Sequence, residues 1–427
     1  MYSYKIEGNI PLKGTIKASG NKNAALPCLA ACLLTDQPVI LRNIPDIEDV
    51  SVMLQILNTL GAKAEHRGNG TVAVCCADTP KSEVPADQAR DIRASILFAG
   101  SLLARTGKVL LPPPGGDVIG RRRLDTHFMA FSELGARVEV DGIFKLTANK
   151  LVGADLFLDE ASVTATENAL MASVTAEGTT VIRNAASEPH VQDLCNMLNS
   201  MGAKISGIGS NILTIQGVKK LKGADFSIGA DFMEVGSFIG LAAVTRGEIE
   251  IQNANPEHLR MTKIAFNKLG IHWETDGSTI RVPAGQNMRV MPDLGGMIPH
   301  IDDAPWPGFP ADLTSIITVV ATQVEGTVLV HEKMFESRLF FVDKLIGMGA
   351  MIVLCDPHRA VVTGPSRLRG ADLISPDVRA GMAMVLAALC AEGTSMIHNV
   401  YQIERGYENL CDRLANLGAR IERISNR

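Results

Sequence analysis

Apolar and polar positions along the chain repeat as one phrase, six times over. The phrase is a helix rich in small apolar residues, a turn, a strand of three to five apolar residues, a loop, a second helix ending in Leu-Gly-Ala or a close variant, and a further strand. The copies open with LAACLLTDQPVILRN, ILFAGSLLARTGKVLLP, LMASVTAEGTTVIRN, FIGLAAVTRGEIEIQN, SIITVVATQVEGTVLVH and MVLAALCAEGTSMIHN. The glycines that close the second helix are Gly61, Gly135, Gly202, Gly270, Gly349 and Gly418, spaced 67 to 79 residues apart. Each stands where a helix commonly ends in a left-handed residue, and β-favouring side chains follow. Asp36, Gly107, Gly178, Gly247, Gly326 and Gly393 mark the turn ahead of the strand in the same six copies.

Alternating helices and strands in one chain predict an α/β fold of sheets covered by helices. Each copy reads as a β–α–β–α type unit, and six units make two bodies of three. The break is expected near residue 229, where Ser227-Ile228-Gly229-Ala230 offers a hinge. Repeats one to three then form a domain of residues 22–229, carrying a mobile loop at 112–125. Residues 1–21 with 230–427 form the second domain, completed by one extended N-terminal strand from Tyr4 to Ile16. A cleft between two such bodies is a natural ligand site.

Composition narrows the function. With 427 residues, 46% of them apolar, the chain can bury a large core. Forty-one basic against 46 acidic residues leave a net charge of −5, so no general field for nucleic acid exists and an anion site must be local. The start, MYSYKIEGNIPLKG, lacks the basic and apolar regions of a signal peptide. The apolar stretch Ala380 to Ala391 is too short to span a bilayer, so no membrane partner is expected. Of eight scattered cysteines, most read as buried free thiols of a cytoplasmic protein. Cys28 and Cys32 lie one helical turn apart with no second Cys or His pair nearby, and the nine histidines show no ligand spacing, so no metal is expected.

Candidate chemistry gathers at LPPPGGDVIGRRRLD, Leu111 to Asp125. Prolines forbid helix and Gly115-Gly116 open backbone angles closed to other residues, so the segment is a loop with Asp117 near its tip. Arg121, Arg122 and Arg123 suit a phosphate or carboxylate, although composition alone favours a solvated hairpin tip with a charge run. Other loops occupy the same slot between marked strand and second helix. Four begin with asparagine (Asn43, Asn184, Asn253, Asn399), copy three holds Glu188 and His190, and copies five and six hold Arg338 and Arg405. Pseudo-symmetry would bring such arginines to one cleft; local pairing with Glu336 and Glu404 is the simpler alternative. SGNKNAALP places Lys22 and Asn23 at a helix start fit to grip an anion. PWPGFPADL sets Asp312 at a helix start, where it could equally be an N-cap. ASVTATEN reads as a strand end entering a capped helix, and SPDVRAGMA puts Asp377 and Arg379 at the start of the last apolar helix.

In this order, SGNKNAALP, the PGG-x-x-x-G-x-R loop, FPADL, FESR, PDVRA and ERGYENL resemble the UDP-N-acetylglucosamine enolpyruvyl transferase family over nearly the whole chain. That resemblance implies two inside-out α/β domains of three units each, no cofactor, and two small-molecule substrates. Phosphoenolpyruvate would be held by Lys22, Arg122 and Arg405. The UDP-sugar would be surrounded by Asn23, Arg93, Asp125, Ser162, Val163, Asp312 and Met334, with Arg338 and Arg379 as basic residues of the same cleft. The chain departs from the family at three places. Asp117 stands where most members have cysteine, Glu160 where lysine is common, and Leu97 where an aromatic residue sometimes occurs.

The implied reaction is addition–elimination in the first committed step of peptidoglycan synthesis. The sugar 3′-hydroxyl adds to C2 of phosphoenolpyruvate, C3 gains a proton, and phosphate then leaves. In this scheme Asp312 orients or deprotonates the hydroxyl, Asp117 is a general acid on the closing loop, and Lys22, Arg122 and Arg405 stabilise developing charge. A carboxylate is a far poorer nucleophile than a thiolate, so insensitivity to the epoxide fosfomycin, which alkylates the loop thiol of Cys-bearing relatives, is expected. Two other readings remain open: an enolpyruvyl transferase for another nucleotide-sugar or nucleoside, and a non-catalytic UDP-sugar-binding paralogue.

Overall fold

In each repeat the marked strand is the hub of a small sheet. A computed structural model describes residues 2–116 and 123–425. In the third repeat Thr179–Arg183 pairs in parallel with Asp155–Phe157 on one side. On the other side it pairs antiparallel with Ile212–Gln216, which pairs antiparallel with Lys204–Ser206. Repeats one, four and five follow the same order, and repeat two keeps three strands with a single bridge, Glu83 to Leu110, in the parallel position. The unit is thus strand, helix, strand, helix, strand, strand. This extends the expected β–α–β–α phrase by a parallel strand at one edge and a hairpin at the other.

The extended N-terminal segment is two strands rather than one. Tyr2–Glu7 lies between Thr394–His398 and Arg420–Ser425 in the sixth sheet, and Lys13–Lys17 supplies the parallel strand of the fourth. They separate at Gly8, where a side-chain β-carbon would sit 2.2 Å from the Ala391 carbonyl oxygen. Asp225–Ser227 returns in the same way to supply the parallel strand of the first sheet.

The first helices of the repeats form the cores. Phe232–Val244, Thr314–Ala321 and Val378–Cys390 are apolar on nearly every side, as buried helices must be, and pack together around Gly240. A β-carbon there would lie 2.9 Å from Ile316 and 3.2 Å from Leu386, so the crossing requires glycine's missing side chain. Lys22–Ala31, Phe98–Thr106 and Val163–Ser173 make the corresponding core of the other half. There Asn168 accepts from the Gly100 amide at 2.7 Å and donates to the Ile96 carbonyl at 3.0 Å. The six glycines ending the second helices all have positive φ, from 72° to 107°.

The chain divides into two compact units, residues 2–19 with 230–425 and residues 20–116 with 123–229. Gly20 and Asn21 therefore belong with the unit of repeats one to three, two residues earlier than expected. The Asn21 amide donates to Gly229 O at 2.9 Å, and a β-carbon on Gly20 would meet the Asn43 carbonyl oxygen at 1.6 Å.

The four asparagines of the common slot are structural. Asn43, Asn184, Asn253 and Asn399 all adopt left-handed backbone, with φ between 56° and 59°. Each Nδ2 donates to the carbonyl just past its parallel strand: Ile228 at 2.9 Å, Leu158 at 2.9 Å, Ala18 at 3.4 Å and Ser375 at 3.0 Å. Asparagine suits both demands, since its short amide tolerates the left-handed region and supplies the donor. Replacing Asn184 with alanine removes the donor to buried Leu158 and strains the backbone, so unfolding by denaturant should show a loss of about 2–3 kcal/mol. Asn184→Gly should recover about 1 kcal/mol of it, the backbone share.

Candidate functional site

The expected site residues fall into two sets, one on each unit, and Asp117 and Arg122 lie outside the described residues. In the unit of repeats one to three, Lys22 and Asn23 open the helix Lys22–Ala31, whose N-cap Asn21 accepts from the Asn23 amide at 2.8 Å. The Lys22 ammonium is held 2.6 Å from Asp49, a nearly buried carboxylate in the first turn of Glu48–Thr59. Asp49 went unnoticed in the sequence, where an acid in a helix's first turn reads as a dipole partner. Here it aims the lysine.

The helix Lys22–Ala31 packs against the turn Arg93–Leu97. Gly115 and Gly116 dock on the segment leading into it. The Gly115 amide donates to Ala89 O at 3.1 Å, and β-carbons at the two glycines would fall 1.7 Å from Arg90 O and 2.7 Å from Arg93 Cβ. The two glycines thus root the Pro-rich loop beside Arg93.

Asp125, Ser162 and Val163 gather at the starts of the packed helices Asp125–Glu133 and Val163–Ser173. Ser162 caps the second, its Oγ accepting from the Ala165 amide at 3.4 Å. Asp159 ties the two starts together, taking Thr126 Oγ1 at 2.7 Å and Arg123 at 3.3 Å; Arg123 also meets Asp125 at 3.0 Å. The hydrogen bond Arg123 donates to Asp125 and that carboxylate's charge, then the charges of Asp159 and Glu160, hold the guanidinium above its ordinary range. Glu160 thus lies within the electrostatic reach of a local arginine. Behind this surface His127 is buried between Asn168 at 2.9 Å and Thr164 at 3.1 Å. Burial, then the Arg93 charge, lower its pKa to about 3, so it is a neutral strut.

In the other unit Asp312 is the centre. It lies inside the short turn Ala311–Leu313 before Thr314–Ala321, whose N-cap positions are Pro310 and Leu313, so it does not occupy the N-cap position of the simpler expectation. Arg338 Nη2 donates to its Oδ1 at 2.8 Å and Arg379 Nε to its Oδ2 at 2.9 Å. The arginine side chains are 4% and 6% exposed and the aspartate 25%, so a partly open carboxylate stands on two buried cations. Arg338 thus pairs with Asp312 rather than with Glu336. Arg379 follows the cap Asp377 on Val378–Cys390, and its Nη1 reaches the Tyr407 hydroxyl at 3.2 Å. Burial disfavours its charge, but Asp312, Tyr407 and Asp231 outweigh that and hold it above the ordinary guanidinium range. Arg405, also buried, donates to Gln402 at 3.0 Å, while Glu404 is engaged by Arg423 at 2.7 Å and the Tyr4 hydroxyl at 3.0 Å. Met334 is 41% exposed, its amide held by buried Asp303 at 3.2 Å.

Among the described residues no group of three or more His, Cys, Asp or Glu is arranged to hold a metal ion, and no helix is long and apolar enough to cross a membrane. All eight cysteines are free; Cys28, Cys32, Cys76 and Cys195 are buried, but Cys355 is exposed.

Comparison with known proteins gives this arrangement its place. Residues 6–414 match the family described as EPSP synthase (3-phosphoshikimate 1-carboxyvinyltransferase). The chain is 67% identical over 422 residues to the UDP-N-acetylglucosamine 1-carboxyvinyltransferase of Treponema denticola, covering 99% of each. It is 65% identical over 421 residues to that of Treponema pallidum, again covering 99% of each. Among solved structures the enolpyruvyl transferase NikO from Streptomyces tendae matches with a TM-score of 0.88 at 23% identity, over 100% of this chain and 99% of that one, a likeness of fold. The chain belongs to the enolpyruvyl transferase family, and within it to the UDP-N-acetylglucosamine 1-carboxyvinyltransferases.

Proposed function

We propose that this protein transfers the enolpyruvyl group of phosphoenolpyruvate to the 3′-hydroxyl of UDP-N-acetylglucosamine, releasing phosphate, as the first committed cytoplasmic step of peptidoglycan synthesis. The observation that carries the reading is the carboxylate of Asp312 fixed by two buried arginines, in a chain two-thirds identical to transferases of that name. A carboxylate so held has its orientation set in advance, which is what lining up a sugar hydroxyl for attack requires. Asn23, Arg93, Asp125, Ser162, Val163, Met334, Arg338 and Arg379 surround the sugar nucleotide in this reading. Lys22, Arg122 and Arg405 hold phosphoenolpyruvate, supplying donors where negative charge develops as phosphate departs. Asp117 donates the proton, and no cofactor takes part.

Phosphate release from phosphoenolpyruvate, with and without UDP-N-acetylglucosamine, tests this directly. Release that depends on the sugar nucleotide, with mass spectrometry showing the enolpyruvyl ether, is the expected outcome. Release only with another nucleotide-sugar or nucleoside would redirect the acceptor. Binding of the sugar nucleotide without release under any condition would make the protein a sensor and overturn the proposal.

A further inference from the structure

The slot that holds asparagine in four repeats holds Glu332 in the fifth. Glu332 directly follows the strand Gly326–His331, as Asn184 follows Thr179–Arg183. Its counterpart past the parallel strand His300–Asp302 is Asp303, whose amide donates to His331 O at 3.2 Å just as Leu158 donates to Arg183 O at 3.0 Å. An amide meeting a carbonyl has become a carboxyl meeting a carboxyl.

Both acids are sealed from water, Asp303 at 1% exposure and Glu332 at 0%. Asp303 accepts from the amides of Lys333 and Met334, the latter at 3.2 Å, and Glu332 Oε1 accepts from the Phe335 amide at 3.2 Å. Glu332 Oε2 is buried, and both the Asp303 carboxyl and the Thr314 hydroxyl lie within hydrogen-bonding reach of the Glu332 carboxyl. Two buried carboxylates in contact repel strongly, whereas one proton between them makes a hydrogen bond. Three successive amides, 333 to 335, thus hang on one acid pair. The segment they fix carries Met334 and ends at Arg338, the arginine on Asp312.

We propose that Asp303 and Glu332, joined by one shared proton, are positioning residues that replace the asparagine clasp of the sibling repeats and hold Met334 and Arg338 in register with Asp312. Burial first, then the hydrogen bond and charge of Asp303, push the Glu332 carboxyl up to about 9, opposed by Arg338. Thr314 faces the pair from the core helix, and His358, from the turn between Met351–Asp356 and Arg359–Gly364, places Nδ1 2.7 Å from Glu332 O. Lys333 and His300 are turned to Asp302 beside it. Once the shared proton is lost, two like charges face each other and the segment loosens. Because the folded state holds this proton more tightly than the unfolded chain, the stability it confers is full at acid pH and is lost as pH rises through about 9.

The kinetic consequence rests on the transferase reading, but the clasp can be tested without substrate. Glu332→Gln keeps an acceptor for Phe335 and supplies a permanent donor to Asp303, mimicking both the protonated acid and the sibling asparagines. Glu332→Ala removes both. In hydrogen exchange the amides of Lys333, Met334 and Phe335 should be protected in parent and Glu332→Gln at neutral pH, and at least about tenfold less protected in Glu332→Ala. Protection should also fall in the parent, but not in Glu332→Gln, on passing about pH 9. In turnover, KM for the sugar nucleotide should rise about tenfold in Glu332→Ala and stay within about twofold in Glu332→Gln, which also loses the parent's alkaline rise in KM. Should Glu332→Ala fail to fold, the pH series in parent and Glu332→Gln decides. Equal exchange behaviour in those two across the series, or a Glu332→Gln as impaired as Glu332→Ala, overturns the clasp. A parent inactive on UDP-N-acetylglucosamine but with the expected exchange pattern would overturn the transferase reading and leave the clasp standing.

Discussion

Asp312→Asn is expected to lower kcat for phosphate release by about 10²–10⁴-fold while changing KM for either substrate by less than about threefold. The substitution keeps the side chain's shape and one acceptor oxygen for Arg338 or Arg379, which lie at 2.8 and 2.9 Å. What it removes is the negative charge that orients the attacking hydroxyl and draws off its proton. A loss confined to kcat marks an interaction made in the transition state. A matching rise in KM with little change in kcat would make Asp312 a ground-state contact and shift the search for the base elsewhere. Asp312→Ala is the harsher change, since it leaves two buried guanidinium groups facing each other without their counter-ion. It should cost about 3–5 kcal/mol of stability besides, readable as a lowered denaturant midpoint.

How far the sequence carried can be seen at particular residues. The helix-ending glycines at 67- to 79-residue spacing disclosed the six units, because a left-handed terminus must be met in every copy. Helix and strand alternation carried the fold class, which the likeness to the NikO fold shares. The strand exchanges were hidden: Tyr2–Glu7 and Lys13–Lys17 join different sheets, and an extended apolar segment carries no mark of its partner. Within the site, Arg338 was visible as an arginine in a repeated slot and Arg379 as one at the start of the last apolar helix, but their shared target is a long-range contact across 26 and 67 residues. The four slot asparagines misled for the opposite reason. Polar residues recurring at a loop start look like chemistry, and here they close the strand ends. Glu332 was passed over entirely, although comparing it with those asparagines was the signal that would have found it.

Fosfomycin should leave the parent fully active on prolonged incubation, whereas Asp117→Cys should be inactivated progressively, with the mass of the inhibitor added to the introduced cysteine. Opening an epoxide needs a strong nucleophile, and a thiolate is one where a carboxylate is not. Placement supports it as far as Gly116. Gly115 and Gly116 dock against Ala89, Arg90 and Arg93, the last of them one of the expected sugar-nucleotide arginines. An arginine close to a thiol depresses its pKa and makes it reactive. If Asp117 is the proton donor, Asp117→Asn should lower kcat by about 10²–10⁴-fold and abolish the acid's limb of the pH profile, while Asp117→Cys retains turnover because a thiol also donates. Time-dependent loss of the parent with an adduct on Asp117 would sink the insensitivity. An Asp117→Asn variant that keeps its kcat would confine the residue to closing the loop, because a carboxamide can hydrogen-bond in that role but has no acidic proton to deliver to C3.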